Sequence, residues 1–247
     1  MAKAGEKTYF GAIGKESAYS SLNKPFIGGD TGPLFAQIGT VATLLPGGPI
    51  RLLDLGVGTG WMSLFFARMG YDVTAQDISD EAIALAKKYQ KSEYGKPVKF
   101  IASDYESMGY KNEFDCAVFF DSLHHAEDEV AALKSVYKAL KSGGKLVVSE
   151  PGKGHGSSAE ALEAVEKFGV TEKDMPPKAI IKAAKQAGFK NFKVYPDLGL
   201  VHKSLYKPSF NKPSLNKLTK YSSLRLLLST YLSLRKYGYQ GIVVLTK

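Results

Sequence analysis

Three carboxylates and a run of alternating glycines carry the first chemical signal. The segment Asp54-Leu55-Gly56-Val57-Gly58-Thr59-Gly60 follows an apolar run and precedes a helical pattern. In that context a strand turns sharply into a helix while its backbone approaches a ligand. A nicotinamide fingerprint would need its third glycine where Trp61 stands. A bound pyrophosphate gains from a helix N-terminus with no carboxylate beside it, so Asp54 points instead to a ligand with an ammonium group. Asp77 ends the next apolar run, where a carboxylate can accept both hydroxyls of a ribose, with Ile78 as an apolar wall for a base. Asp104 ends the third run, where it can accept from an exocyclic amine while Tyr105 packs on the ring. One such acid alone reads as a helix cap. Three at successive strand ends beside a glycine loop favour a nucleoside ligand.

The next two strand ends carry imidazoles, in Asp121-Ser-Leu-His124-His125 and Glu150-Pro-Gly-Lys-Gly-His155. A histidine near neutral pKa can take a proton from a hydroxyl. His125 and His155 rank first for that role and His124 after them. The competing role is structural, a bond to a backbone carbonyl: it is favoured for His124 and evenly weighted for the other two. The four histidines show no metal-ligand spacing, so no metal is expected.

The elements that must position these residues alternate regularly. Strand-like apolar runs cover 50–56, 72–78, 98–104, 114–122, 145–151, 192–197 and 241–247. Helical patterns cover 61–69, 79–92, 127–140, 159–168 and 174–187. Near-continuous apolar strands joined by helices indicate an α/β fold, a doubly wound, mostly parallel seven-stranded sheet with helices on both faces. Residues 1–45 read as glycine-rich and irregular, with short helices near 16–22 and 34–45. The expected organisation is one domain: 1–45 a lid segment, 46–197 the core, 198–239 a basic insertion and 240–247 the last strand.

The ordered set LLDLGVGTG, AQDIS, IASDY, FDCAVFFDSLHH and LKSGGKLVVSEP resembles the class I S-adenosylmethionine-dependent methyltransferases over about 50–151. The resemblance implies a Rossmann-like fold and S-adenosyl-L-methionine as cofactor. It implies that Gly56, Gly58 and Gly60, flanked by Leu55 and Trp61, line the methionine end, which Asp121 also shapes. It implies Asp77 on the ribose and Asp104 with Tyr105 on the adenine. In related enzymes an N-terminal tyrosine can face the sulfonium, which nominates Tyr19, whereas packing is the expected role of Tyr9 and Phe10.

The Asn/Asp-Pro-Pro-aromatic signature of amino-group methylation is missing after the fourth strand, and Cys116 lies inside a strand. By elimination the acceptor group is a hydroxyl, of a small molecule or, as the motifs' resemblance to stand-alone methyltransferases of bacterial cell-surface polysaccharide or glycolipid synthesis implies, of a sugar or glycolipid. A single cysteine excludes an intramolecular disulfide and suits a reducing, cytoplasmic setting. The net charge of +9 resides in the chain after Asp197, where seven lysines and two arginines meet no acid. Within it 215–237 has apolar residues near helical spacing, a pattern that covers a pocket or lies on an anionic membrane. The rival functions are an RNA or tRNA methyltransferase gripping phosphates with this segment, a carbon methyltransferase of a quinone-like ring, and a non-catalytic cofactor-binding protein.

Overall fold

In β1 (Arg51–Leu55) and β4 (Phe114–Phe120), successive apolar side chains point to opposite faces, so Leu52 and Cys116 join one core while Leu53 and Ala117 join the other. A computed structural model describes residues 2–26, 31–89, 96–199 and 241–247, together with His202, Leu227 and Tyr231. The other strands are β2 (Asp72–Asp77), β3 (Lys99–Ala102), β5 (Leu140–Ser149), β6 (Asn191–Tyr195) and β7 (Ile242–Thr246). They form a sheet of order β3-β2-β1-β4-β5-β7-β6, with β7 antiparallel to both of its neighbours. The expected α/β fold is present, with all seven strands in one sheet.

Helices α1 (Ala2–Ala12), α2 (Gly14–Leu22) and α3 (Thr31–Leu44) precede the sheet, followed by α4 (Trp61–Arg68), α5 (Asp80–Tyr89), α6 (Glu129–Ala139), α7 (Ala159–Phe168) and α8 (Pro177–Ala187). On one face α3, α4 and α5 bury Val41, Phe66 and Ile83 against Leu52, Val73 and Val118. On the other α6 and α8 bury Leu133, Val136 and Ile180 against Leu53, Phe119 and Leu146. The helices start where local chemistry satisfies their first N–H groups: Asp128 accepts from Val130 and Ala131, and Ser158 from Ala161. Pro177 opens α8.

The N-terminal segment is more regular than expected. Residues 2–12 form a helix, and the two short helices extend over 14–22 and 31–44. Glycine in α1 is a packing requirement rather than a breaker, because a Cβ on Gly5 would stand 2.4 Å from the Gly169 carbonyl at the end of α7. The glycine pair 143–144 lies within β5, after α6 has ended at Ala139. Among the described residues no helix is long and apolar enough to cross a membrane. All but a few residues of the basic segment 198–239 lie outside the described residues.

Candidate active site

β1 is flanked by β2 on one side and β4 on the other, so the crossovers leave it in opposite directions and a crevice opens past its carboxyl end. A cleft of about 430 Å³ occupies this place. Of the sequence-predicted residues, Asp54, Leu55, Gly56, Gly58, Trp61, Asp77, Ile78, Tyr105, Asp121 and His125 line it. Gly60, Asp104, Tyr19, His124 and His155 do not.

The glycine loop is tight for stated reasons. Gly56 has φ +66°, and a Cβ there would sit 2.5 Å from Ser122 Cβ on the β4 exit. Gly58 donates its N–H to Asp77 at 2.7 Å, and Ser79 donates to the same carboxylate at 2.9 Å. Burial raises the Asp77 pKa while these two bonds oppose it. Asp54 accepts the Ser63 hydroxyl at 2.6 Å, and burial pushes its pKa up to about 7. Asp121 has φ +49°, opens onto the cleft, and is pushed up to about 6 by its surroundings and by Glu150. Tyr105 donates to the Ser122 carbonyl at 3.1 Å and packs edge-on against Phe119.

The remaining nominations lie elsewhere. The Cβ position of Gly60 faces Phe100 at 2.5 Å, so this glycine lets α4 close on the sheet. Asp104 accepts from Glu106 N–H at 2.8 Å and is held by Lys3 at 2.7 Å, a cap and an ion pair outside the cleft wall. Tyr19 is 63% exposed on α2, because the helix turns Ser20 and Ser21 to the cleft instead. Tyr9 and Phe10, for which the sequence favours packing over a lid role, do line the cleft, and the Gly58 Cβ position is 3.0 Å from Phe10.

Helices α1 and α2 thus cover the glycine loop, fastened by Lys3 to Asp104 and to Glu106 at 2.8 Å, and by Ser21 to Thr59 at 3.1 Å. Glu6 of α1 accepts the Thr171 N–H at 2.8 Å. Glu6 and Glu172 both line the cleft, and sequence reasoning missed them. Their segments are polar and unpatterned, and nothing local marks either acid.

The imidazoles converge. His124 is buried, and its Nδ1 donates to Glu150 Oε2 at 2.7 Å. Glu150 also accepts the N–H groups of Ser122, Leu123 and His124, which fixes the β4 exit turn. The structural role favoured for His124 is the one its contacts describe. His125 Nδ1 donates to the Thr171 carbonyl at 2.8 Å and lies 3.4 Å from Glu6. Burial works against its charge, yet Glu6, Glu172 and that carbonyl push its pKa up to about 9. His155 Nε2 lies 2.7 Å from Glu172 Oε2 and holds that carboxylate from behind the cleft wall. Three histidines expected to be scattered meet around Glu172, and His124, His125 and Glu172 offer ligand atoms within 4.8 Å of one another.

Residues 53–148 match the family model described as a methyltransferase domain. Residues 53–148, running from β1 into β5, thus carry a methyltransferase domain. This domain is 36% identical over 102 residues to a putative methyltransferase of Bacillus subtilis, covering 39% of this chain and 40% of the relative. It is 34% identical over 110 residues to a ubiquinone biosynthesis O-methyltransferase of Xanthomonas axonopodis, covering 44% and 45%. The chain therefore spans under half the length of the curated relatives it matches. Among solved structures, a Haemonchus contortus phosphoethanolamine N-methyltransferase in complex with S-adenosyl-L-methionine superposes with a TM-score of 0.62 at 20% identity, covering 93% of this chain and 55% of the other. At that identity the likeness concerns the fold of the methyltransferase domain.

Proposed function

We propose that the chain binds S-adenosylmethionine in the cleft and methylates a hydroxyl of a small-molecule or sugar acceptor. The donor set suits this cofactor: Asp54 and Asp121 for an ammonium, Asp77 for ribose hydroxyls, Ile78 and Tyr105 for an adenine. The backbone of Gly56 and Gly58 lines the cleft, which suits a ligand lying against it. When bound, the cofactor supplies a methyl group on a positively charged sulfur, ready for displacement.

The chain's own residues do the rest by positioning. Helices α1 and α2 act as the lid expected of the N-terminal segment, excluding water over the glycine loop. Glu150, which accepts the N–H groups of Ser122, Leu123 and His124, fixes the β4 exit turn that forms one wall. The observation that carries the hydroxyl reading is the corner of His125 and Glu172 in the cleft wall, with Glu172 held by His155. Glu172, its carboxylate held by His155, would accept the proton of the acceptor hydroxyl during methyl transfer. An amine acceptor is the second reading, favoured by the acids Glu6 and Glu172 at the same end.

A radiolabelled methyl-transfer screen against phenols, sugars and primary amines, with Glu172→Gln beside the wild type, tests this. Label in a hydroxylated acceptor, about 100-fold slower in the variant, is expected. Label only in amines would sink the hydroxyl reading, and no label in any acceptor despite cofactor binding would favour a non-catalytic binder.

A further inference from the structure

We infer that His124, His125 and Glu172 form a binding site for one divalent transition-metal ion of the zinc or cobalt class. A ring nitrogen from each histidine and one carboxylate oxygen lie within 4.8 Å of one another, and His124 Nε2 is 3.5 Å from Glu172 Oε2. Ligand atoms around a tetrahedral ion with bonds of about 2.0–2.1 Å stand about 3.3–3.5 Å apart. His125 Nδ1 is committed to the Thr171 carbonyl, so closing the set takes a shift of Glu172 toward His125 Nε2.

The surroundings match a metal site better than a chance meeting of polar groups. Each ligand has its own outer partner: His124 Nδ1 on Glu150 at 2.7 Å, His125 Nδ1 on the Thr171 carbonyl at 2.8 Å, and Glu172 on His155 at 2.7 Å. Such partners orient metal-binding rings and carboxylates and fix the tautomer. For His124 the bond to Glu150 commits Nδ1 and leaves Nε2, the nitrogen facing Glu172, with its lone pair. Two imidazoles with one carboxylate suit zinc, cobalt or ferrous iron rather than magnesium or calcium. Three protein ligands leave a coordination position open, as catalytic sites do. His125 and Glu172 line the cleft, so that position faces the acceptor end.

The task of the ion rests on the methyltransfer reading above, whereas its binding does not. With the ion bound, His125 and Glu172 serve as ligands, and the charge of the ion lowers the pKa of the acceptor hydroxyl. Glu172, a ligand through one oxygen, would keep its other carboxylate oxygen to accept the hydroxyl proton. The sequence hides this site because its third ligand is 47 residues beyond His125, on a polar loop.

The test is a titration of chelator-stripped full-length chain with Co²⁺, read by visible absorption and by metal per chain. Calorimetry with S-adenosylmethionine runs on the same samples. One Co²⁺ per chain is expected, bound at least about tenfold more weakly by Glu172→Gln and by His125→Ala. Cofactor affinity in both variants should stay within about twofold of wild type. His124→Ala removes a buried ring, so the other two variants carry the test if it fails to fold. No Co²⁺ bound by folded wild type overturns the site, as does binding that neither substitution weakens. Loss of cofactor binding with Co²⁺ binding intact overturns the methyltransfer reading and leaves the ion site standing.

Discussion

The two ends of the cleft are built in opposite ways. The glycine-loop end takes its groups from consecutive strand exits, with Asp54, Gly56, Gly58 and Asp77 spanning 24 residues of chain. The far end joins Glu6 of α1, His125 after β4 and Glu172 before α8. The first end is fixed by backbone geometry and tolerates few side chains. The second rests on long-range hydrogen bonds between segments that other members of a fold can vary freely. On the proposed reading one end takes the cofactor and the other the acceptor.

The sharpest break in that comparison is Gly56→Val. The new side chain meets Ser122 at a positive φ, and about 2–4 kcal/mol of stability should be lost. Cofactor affinity should fall at least about 100-fold, read by thermal melts and calorimetry. Glu172→Gln is the counterpart at the other end. Turnover should drop about 100-fold while cofactor affinity holds, so a kcat effect without a cofactor-affinity effect separates the two regions. Equal loss of both would merge them.

A smaller effect sharpens the cofactor end. The Asp54 carboxyl has its pKa pushed up to about 7, and only its ionised form pairs with an ammonium. Affinity for S-adenosylmethionine should therefore weaken as pH falls below about 7, approaching tenfold per unit. The folded state also holds this proton more tightly than the unfolded chain. Stability of the ligand-free protein should thus decline as pH rises from about 4 to about 7 and level off above. Asp54→Asn should flatten both profiles. The smallest effect is at the lid. Lys3→Ala removes a partly exposed ion pair with Asp104 and Glu106, a contribution of about 0.5–1 kcal/mol. Stopped-flow release of S-adenosylhomocysteine should quicken about two- to fivefold.

What the sequence made legible follows the same division. The strands show themselves as apolar runs because both faces of the sheet are covered, and 159–168 stands out as a helix through Ser158 before it and Gly169 after it. Asp77 and Gly58 were legible because a strand end and the glycine after the neighbouring strand are joined by topology. Helix α1 was not, since its glycine at position 5 answers to the Gly169 carbonyl on a distant helix. Gly60 and Asp104 carry the right residue types in the right motif, yet their side-chain positions answer to Phe100 and Lys3. Tyr19 was placed by segment and not by helix phase, which turns it outward. Glu6 and Glu172 gave no signal because their partners come from elsewhere in the chain.

The most direct test is calorimetric titration of S-adenosylmethionine and S-adenosylhomocysteine into the wild type and Asp77→Ala. Micromolar binding of both ligands to the wild type is expected, weakened roughly 100-fold in Asp77→Ala by the loss of charge-assisted bonds to the ribose. A folded wild type that binds neither ligand, or an Asp77→Ala variant that binds both as tightly, would contradict the placement of the cofactor in this cleft.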